Sequence, residues 1–145
     1  MNERLNSMWA EINKRFFNDE LKPLALIDWD EIGGDEGLNA HGFYEKRGRG
    51  IYIDDEFEFD EDRVIAGDVK EHAKVEASYL ILLHEMIHQA LHERGDPNFG
   101  QHQQPFLDEA VRIAAIMKVE PPTLDAVNQW PRLEALLFII RGLGE

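Results

Sequence analysis

Leu80-Ile81-Leu82-Leu83-His84-Glu85-Met86-Ile87-His88-Gln89-Ala90-Leu91 is the stretch from which the rest of this chain is read. It joins a long apolar run to the spacing His-Glu-x-x-His. On an α-helix, residues four apart lie one turn above each other on one face, so His84 and His88 aim two imidazoles at a common point. Glu85 sits beside the first of them, within reach of a water held there. A divalent metal that activates water, zinc above all, needs two fixed nitrogen ligands and a nearby carboxylate base. The flanks favour a helix, because no Gly or Pro occurs between Asp68 and Arg94. Gly95-Asp96-Pro97 ends it. Asp68 followed by Glu71 reads as a variant capping box at its start, with a start nearer Glu76 as the alternative. Apolar residues lie all round the segment, which predicts a helix buried on most sides. Histidines in such a helix are costly unless something satisfies them, and a metal does. The plainer alternative is a pair of hydrogen-bonded or exposed histidines; the intervening Glu and the apolar setting weigh against it.

At 145 residues the chain is expected to form a single domain with a moderate core, and a 43% hydrophobic content fits a folded protein. The absence of cysteine excludes disulfides, zinc ribbons and thiolate ligands. No run approaches the eighteen or so apolar residues of a membrane span, and Met1-Asn2-Glu3-Arg4 does not open a signal peptide, so a cytoplasmic protein is expected. The net charge of −14 disfavours binding nucleic acid over the whole surface. It suits a basic protein substrate, or solubility alone.

Taken in order, Leu5, Met8, Trp9, Ile12 and Phe16 predict an amphipathic helix over Asn6–Phe17. Strands are expected at Leu24–Trp29, Leu38–Glu45 and Ile51–Asp54, the last two forming a hairpin around Gly48-Arg49-Gly50. The acidic Asp28–Glu36 segment reads as a solvated loop, and Asp54–Asp62 as a solvated connection into the long helix. Lys46, Arg47 and Arg49 make the one dense basic cluster, an exposed hairpin tip or a contact for an anionic partner such as DNA. A helix over Leu107–Lys118 is expected to bury Ala110, Val111, Ala114 and Ile116. A short helix or turn at Leu124–Trp130 and a helix at Leu133–Arg141 follow, the latter docking Leu136, Leu137, Phe138, Ile139 and Ile140.

A catalytic zinc takes three protein ligands and leaves one position open. Here the third is His, Asp or Glu. His92 lies a further turn along, roughly 12 Å from His84 by helix rise, so one ion cannot engage all three; it reads as a surface histidine near a helix end. His72 precedes the motif by too many turns, and His41 reads as an exposed strand residue. His102 follows a Gly-containing loop that can fold back on the helix, and is the best third ligand. His41, Tyr44 and Tyr52 are candidates to stabilise an oxyanion.

His84-Glu85-Met86-Ile87-His88, then His102, then Phe106 opening a helix, resembles the SprT-like zinc metalloprotease domain, the Spartan-related minimal zincins. Phe16-Phe17-Asn18, Leu21 and Pro23 are similar to the opening of that family, and the likeness spans roughly residues 5 to 115. Gln103 stands where family members commonly have Gly, and neither a cysteine-based ribbon nor a basic tail is present. The resemblance implies an α+β, zincin-like fold: an N-terminal helix, a small three-stranded sheet, the buried motif helix and C-terminal helices. The core would run over about 5–118 and a helical extension over 119–145. It implies one zinc held by His84, His88 and His102, Glu85 as general base, and endopeptidase activity on protein substrates, with DNA-associated proteins as one class of them. Two other classes remain: a catalytically inactive zinc-binding domain acting through protein contacts, and an acidic, metal-free interaction protein.

Overall fold

The computed structural model describes residues 2–32 and 41–142. Helix α1 spans Glu3–Phe17, started by the Asn2 side chain, which accepts from the Leu5 N–H at 3.0 Å, and closed by Asn18 in the left-handed conformation. Its expected stripe of Leu5, Met8, Trp9, Ile12 and Phe16 is buried. Buried Asn13 holds the chain after the helix by exchanging two hydrogen bonds with the Leu21 backbone, each 3.1 Å.

Three strands follow: β1 (Leu26–Asp30), β2 (Gly42–Glu45) and β3 (Gly50–Asp54). Their spatial order is β1-β3-β2, so β3 is central. It runs parallel to β1, with Ile27 opposite Ile51, and antiparallel to β2, with Phe43 opposite Tyr52. The β2–β3 hairpin turns through residues 46–49, as its glycines suggest. The expected strand from Leu38 is observed from Gly42; Leu38 to Ala40 and residues 33–36 of the acidic loop lie outside the described residues, whereas residues 28–30, read as the start of that loop, belong to β1, held by pairing with β3.

The Asp54–Asp62 stretch is not the solvated connection that its charge suggests. Asp54 caps a 3₁₀ turn over Asp55–Phe57, and Phe57 and Phe59 are both buried. Phe59 meets Trp29 edge-on at 5.3 Å, and Ser78 donates to the Phe57 carbonyl. Glu58 between the two rings is extended, so Phe57 and Phe59 both turn inward while Glu58 and Asp60 face outward. A short helix α2 (Glu61–Ile65), capped by Asp60, leads to α3.

Helix α3 runs over Val69–Glu93, which places its start at the Asp68 cap rather than near Glu76. Asp68 accepts from the Glu71 N–H at 3.1 Å, but the Glu71 carboxylate turns to the Asp60 N–H and Lys74 instead of closing a reciprocal box. It is buried along most of its length, as the apolar run predicts.

Helix α4 covers Gln104–Met117, starting earlier than expected because Pro105 occupies its first turn. Phe106, Ala110, Ile113 and Ala114 form its buried face. Val111 and Ile116, read as core, are instead 41% and 42% exposed, since they fall off the 106-110-113-114 periodicity. A 3₁₀ turn at Val127–Gln129 precedes α5 (Glu134–Arg141), which packs on α3. Only Ile140 of α5 is fully buried, whereas Phe138 and Ile139 face outward. The architecture is therefore α+β, with five helices and a small mixed sheet among the described residues. No described helix is long and apolar enough to cross a membrane.

The assignment of the α4 face can be checked by denaturant unfolding. Ile113→Ala should cost about 2–5 kcal/mol, whereas Val111→Ala should change stability by less than about 1 kcal/mol.

Candidate metal centre

Two segments of chain supply the three imidazoles. His84 and His88 come from one face of α3. After α3 the chain reverses at Gly95, whose φ of +86° suits glycine, and Asp96 N–H bonds back to the Leu91 carbonyl. Short turns through Phe99 and Gln101 then deliver His102 to the same face. One potential ligand atom from each of the three histidines lies within 4.8 Å of the others. Nε2 of His84 and Nε2 of His102 are 3.0 Å apart.

Backbone carbonyls set the orientation of the two helical imidazoles. Nδ1 of His84 is 2.6 Å from the Trp130 carbonyl, and Nδ1 of His88 is 2.6 Å from the Phe99 carbonyl. A carbonyl only accepts, so each Nδ1 carries the proton and each Nε2 keeps its lone pair. Such a partner on the far nitrogen is the usual support of a metal-binding histidine. Beneath them, Phe106 is fully buried and its ring centroid stands 4.8–4.9 Å from all three imidazoles.

Burial, then the neighbouring His88, lowers the His84 pKa to about 3, and burial lowers that of His88 to about 4. His102 is lowered by the same cause. At neutral pH the rings are therefore uncharged, the form that ligates. Facing lone pairs repel unless a proton or a cation lies between them. Neutral nitrogen donors without thiolate fit a borderline divalent ion such as zinc. Among the described residues this is the one cluster close enough to hold a metal ion.

Glu85 is buried on the adjoining side. Burial raises its pKa to about 8, opposed by a hydrogen bond from the Tyr44 backbone N–H. A nearby cation pulls such a carboxyl back towards its ionised form. Gly42 makes this closeness possible. A Cβ there would stand 2.7 Å from Ile81 Cγ2, 2.8 Å from the Tyr52 carbonyl and 3.5 Å from Glu85 Cγ. Any side chain would thus push β2 off the helix.

The centre opens into a cleft of about 630 Å³. Gly42, Phe43 and Tyr44 of β2 form one side of its lining and Trp130, Leu133 and Leu137 contribute from the C-terminal segment. His41 is half-buried in this lining with its ring edge-on to Phe57 at 5.5 Å, not exposed on a strand. Burial and, second, Arg141 lower its pKa. Tyr44 also lines the cleft, whereas Tyr52 stacks on Phe43 at 4.9 Å and is not part of the lining. His72 bonds the Val64 carbonyl, away from the cluster. His92 does not join the three either, but it is only half-exposed and holds the Tyr44 hydroxyl at 2.7 Å. In the basic hairpin, Arg49 pairs with Glu93 at 3.4 Å and Lys46 lies 5.6 Å over the Phe99 ring. Two of its three cations are thereby engaged within the protein.

Sequence reasoning did not find Gly42, Trp130 or Phe99 as parts of the site. A glycine inside a strand pattern does signal close backbone approach, so Gly42 was detectable. The two carbonyls carry no side-chain signature. Comparison with protein-family models, curated proteins and solved structures gives no match for this chain.

A pH dependence follows for chelator-treated protein. The Glu85 pKa is raised on folding from 4.5 to about 8, so its contribution is fully present below pH 4.5 and is lost as pH rises through about 8. Glu85→Gln removes that loss. Urea unfolding should show the variant gaining stability relative to wild type between pH 5 and pH 9; parallel profiles would contradict the burial of an ionisable acid here.

Proposed function

We propose that the chain is a zinc-dependent endopeptidase of the SprT-like, zincin-like type, acting on polypeptide substrates. The observation that carries this reading is the convergence of His84, His88 and His102 beside the buried carboxyl of Glu85, in a cleft bordered by an extended strand. His84, His88 and His102 would hold the ion. When bound, zinc supplies Lewis acidity to a scissile carbonyl and makes water a stronger nucleophile at neutral pH.

The protein's own groups account for the remaining steps. Glu85 accepts a proton from the water that adds to the peptide carbonyl, and returns it to the amine as the C–N bond breaks. The Tyr44 N–H steadies that carboxylate in its charged form. The Trp130 and Phe99 carbonyls keep Nε2 of His84 and His88 aimed inward. Among the described residues strand β2 has a partner in β3 alone, and its residues 42–44 border the cleft, so an extended peptide can lie alongside it. His41 and Tyr44, both in the lining, are the remaining candidates to meet an oxyanion. The engaged Lys46 and Arg49 and the charge of −14 favour recognition of the substrate protein itself over direct grip on DNA.

Metal content and hydrolysis of an unfolded polypeptide such as casein, with and without DNA, test the reading together. Wild type and Glu85→Gln should each hold one zinc, with cleavage lowered about 10²–10⁴-fold in the variant. Zinc binding without cleavage under either condition would leave an inactive zinc-binding domain; a wild type that binds no zinc would leave an interaction protein. His102→Ala should lose zinc retention far more than His92→Ala.

A further inference from the structure

His92 lies one turn beyond His88 on α3 yet contributes nothing to the three-histidine cluster. Its surroundings are nevertheless specific. Its Nδ1 meets the Tyr44 hydroxyl at 2.7 Å, and its ring lies against that of Phe99, with centroids 4.6 Å apart at 39°. Tyr44 approaches the same phenyl ring edge-on at 6.2 Å, and the Lys46 ammonium stands 5.6 Å over it. The Phe99 side chain is thus held by three residues, two from the hairpin and one from α3. Its carbonyl, in turn, is the group that accepts from His88 Nδ1 at 2.6 Å. The same loop carries His102 three residues later.

We propose that His92 is a positioning residue for the metal centre: with Tyr44 it clamps the Phe99 ring, and so fixes the carbonyl that orients His88 and the loop that presents His102. The inference rests on the metal reading above and adds His92, a residue outside both the three-histidine cluster and the cleft lining. A merely exposed histidine near a helix end would need neither the tyrosine nor the ring contact. Without the clamp the Phe99 loop is free to shift, the His88 Nδ1–H loses its fixed acceptor, and the ring can rotate or adopt the other tautomer. Tyr44 has a second link to the centre, because its backbone N–H holds Glu85. One residue of the cleft lining thereby connects the general base to the ligand loop.

The test uses full-length protein, with cobalt(II) and zinc as probes and nitrogen NMR of the histidine rings before metal is added. His92→Ala should weaken zinc about ten- to a hundredfold, the usual cost of losing an outer support. It should also change the cobalt absorption bands, and His88 in the metal-free protein should no longer be uniformly protonated on Nδ1. His92→Phe, which keeps a ring against Phe99, should recover most of the affinity. His72→Ala, on the same helix but outside the clamp, should behave as wild type. Tyr44→Phe supplies the same readouts should His92→Ala fail to fold, with a smaller loss of affinity and altered bands expected. Folded variants with wild-type affinity, cobalt bands and His88 tautomer overturn this inference alone. A wild type that takes up neither ion overturns it together with the metal reading.

Discussion

The structure depends on a single constraint: a long helix is buried while carrying polar side chains, and each of these has to meet a partner. Ser78, Glu85, His88 and Gln89 of α3 are all buried. Ser78 donates to the Phe57 carbonyl, Glu85 accepts from Tyr44, and His88 donates to Phe99. Gln89 accepts from the Trp9 indole N–H and donates to the Lys22 carbonyl and to Glu93. The partners come from five stretches of chain: α1, the segment after it, β2, the acidic connection and the loop beyond α3. Each pairing left unmade would cost about 1–3 kcal/mol. Together they locate the surrounding elements against α3, so the residues that satisfy the helix also place the cleft.

The centre combines groups whose ionisation burial pushes in opposite directions. The imidazoles are kept neutral and the carboxyl is kept protonated, so the site disfavours charge on every titratable group it contains. A divalent cation would reverse that balance: it is the complement of three lone pairs and would restore the ionised carboxylate beside it. The cleft is already shaped by rigid elements, with the Gly42 contact bringing a strand backbone against the helix and Phe106 filling the space beneath the rings. Such preorganisation is what the proposed hydrolysis of an extended chain would require.

Much of this was legible in the sequence because it is encoded by side chains at regular spacing. The i, i+4 histidines on an uninterrupted apolar run located α3, Gly95 marked its stop, Asp68 was one of two candidate starts, and the Gly-containing loop favoured His102 as the third member. Periodicity was less reliable where apolar residues exceed what one face can bury, as at Val111, Ile116, Phe138 and Ile139. Charge misled at Asp54–Asp62, where the acids concealed two buried phenylalanines. The supports of the site were the least readable part. The Trp130 and Phe99 carbonyls belong to the backbone, and any residue could present them. What selects those positions is the path of the chain, which depends on packing over long separations. His92 illustrates the same limit, since its partner Tyr44 is 48 residues away.

The acceptance of the His84 proton by the Trp130 carbonyl has a thermodynamic corollary for the chain beyond α4. That stretch reads as an appendage to a self-sufficient core, yet it supplies one of the two fixed acceptors of the helical pair. Occupancy of the centre and the folded population of this distal segment are consequently linked quantities, each raising the other by the same factor. Ion uptake would therefore report on the intactness of a region that contributes no ligand.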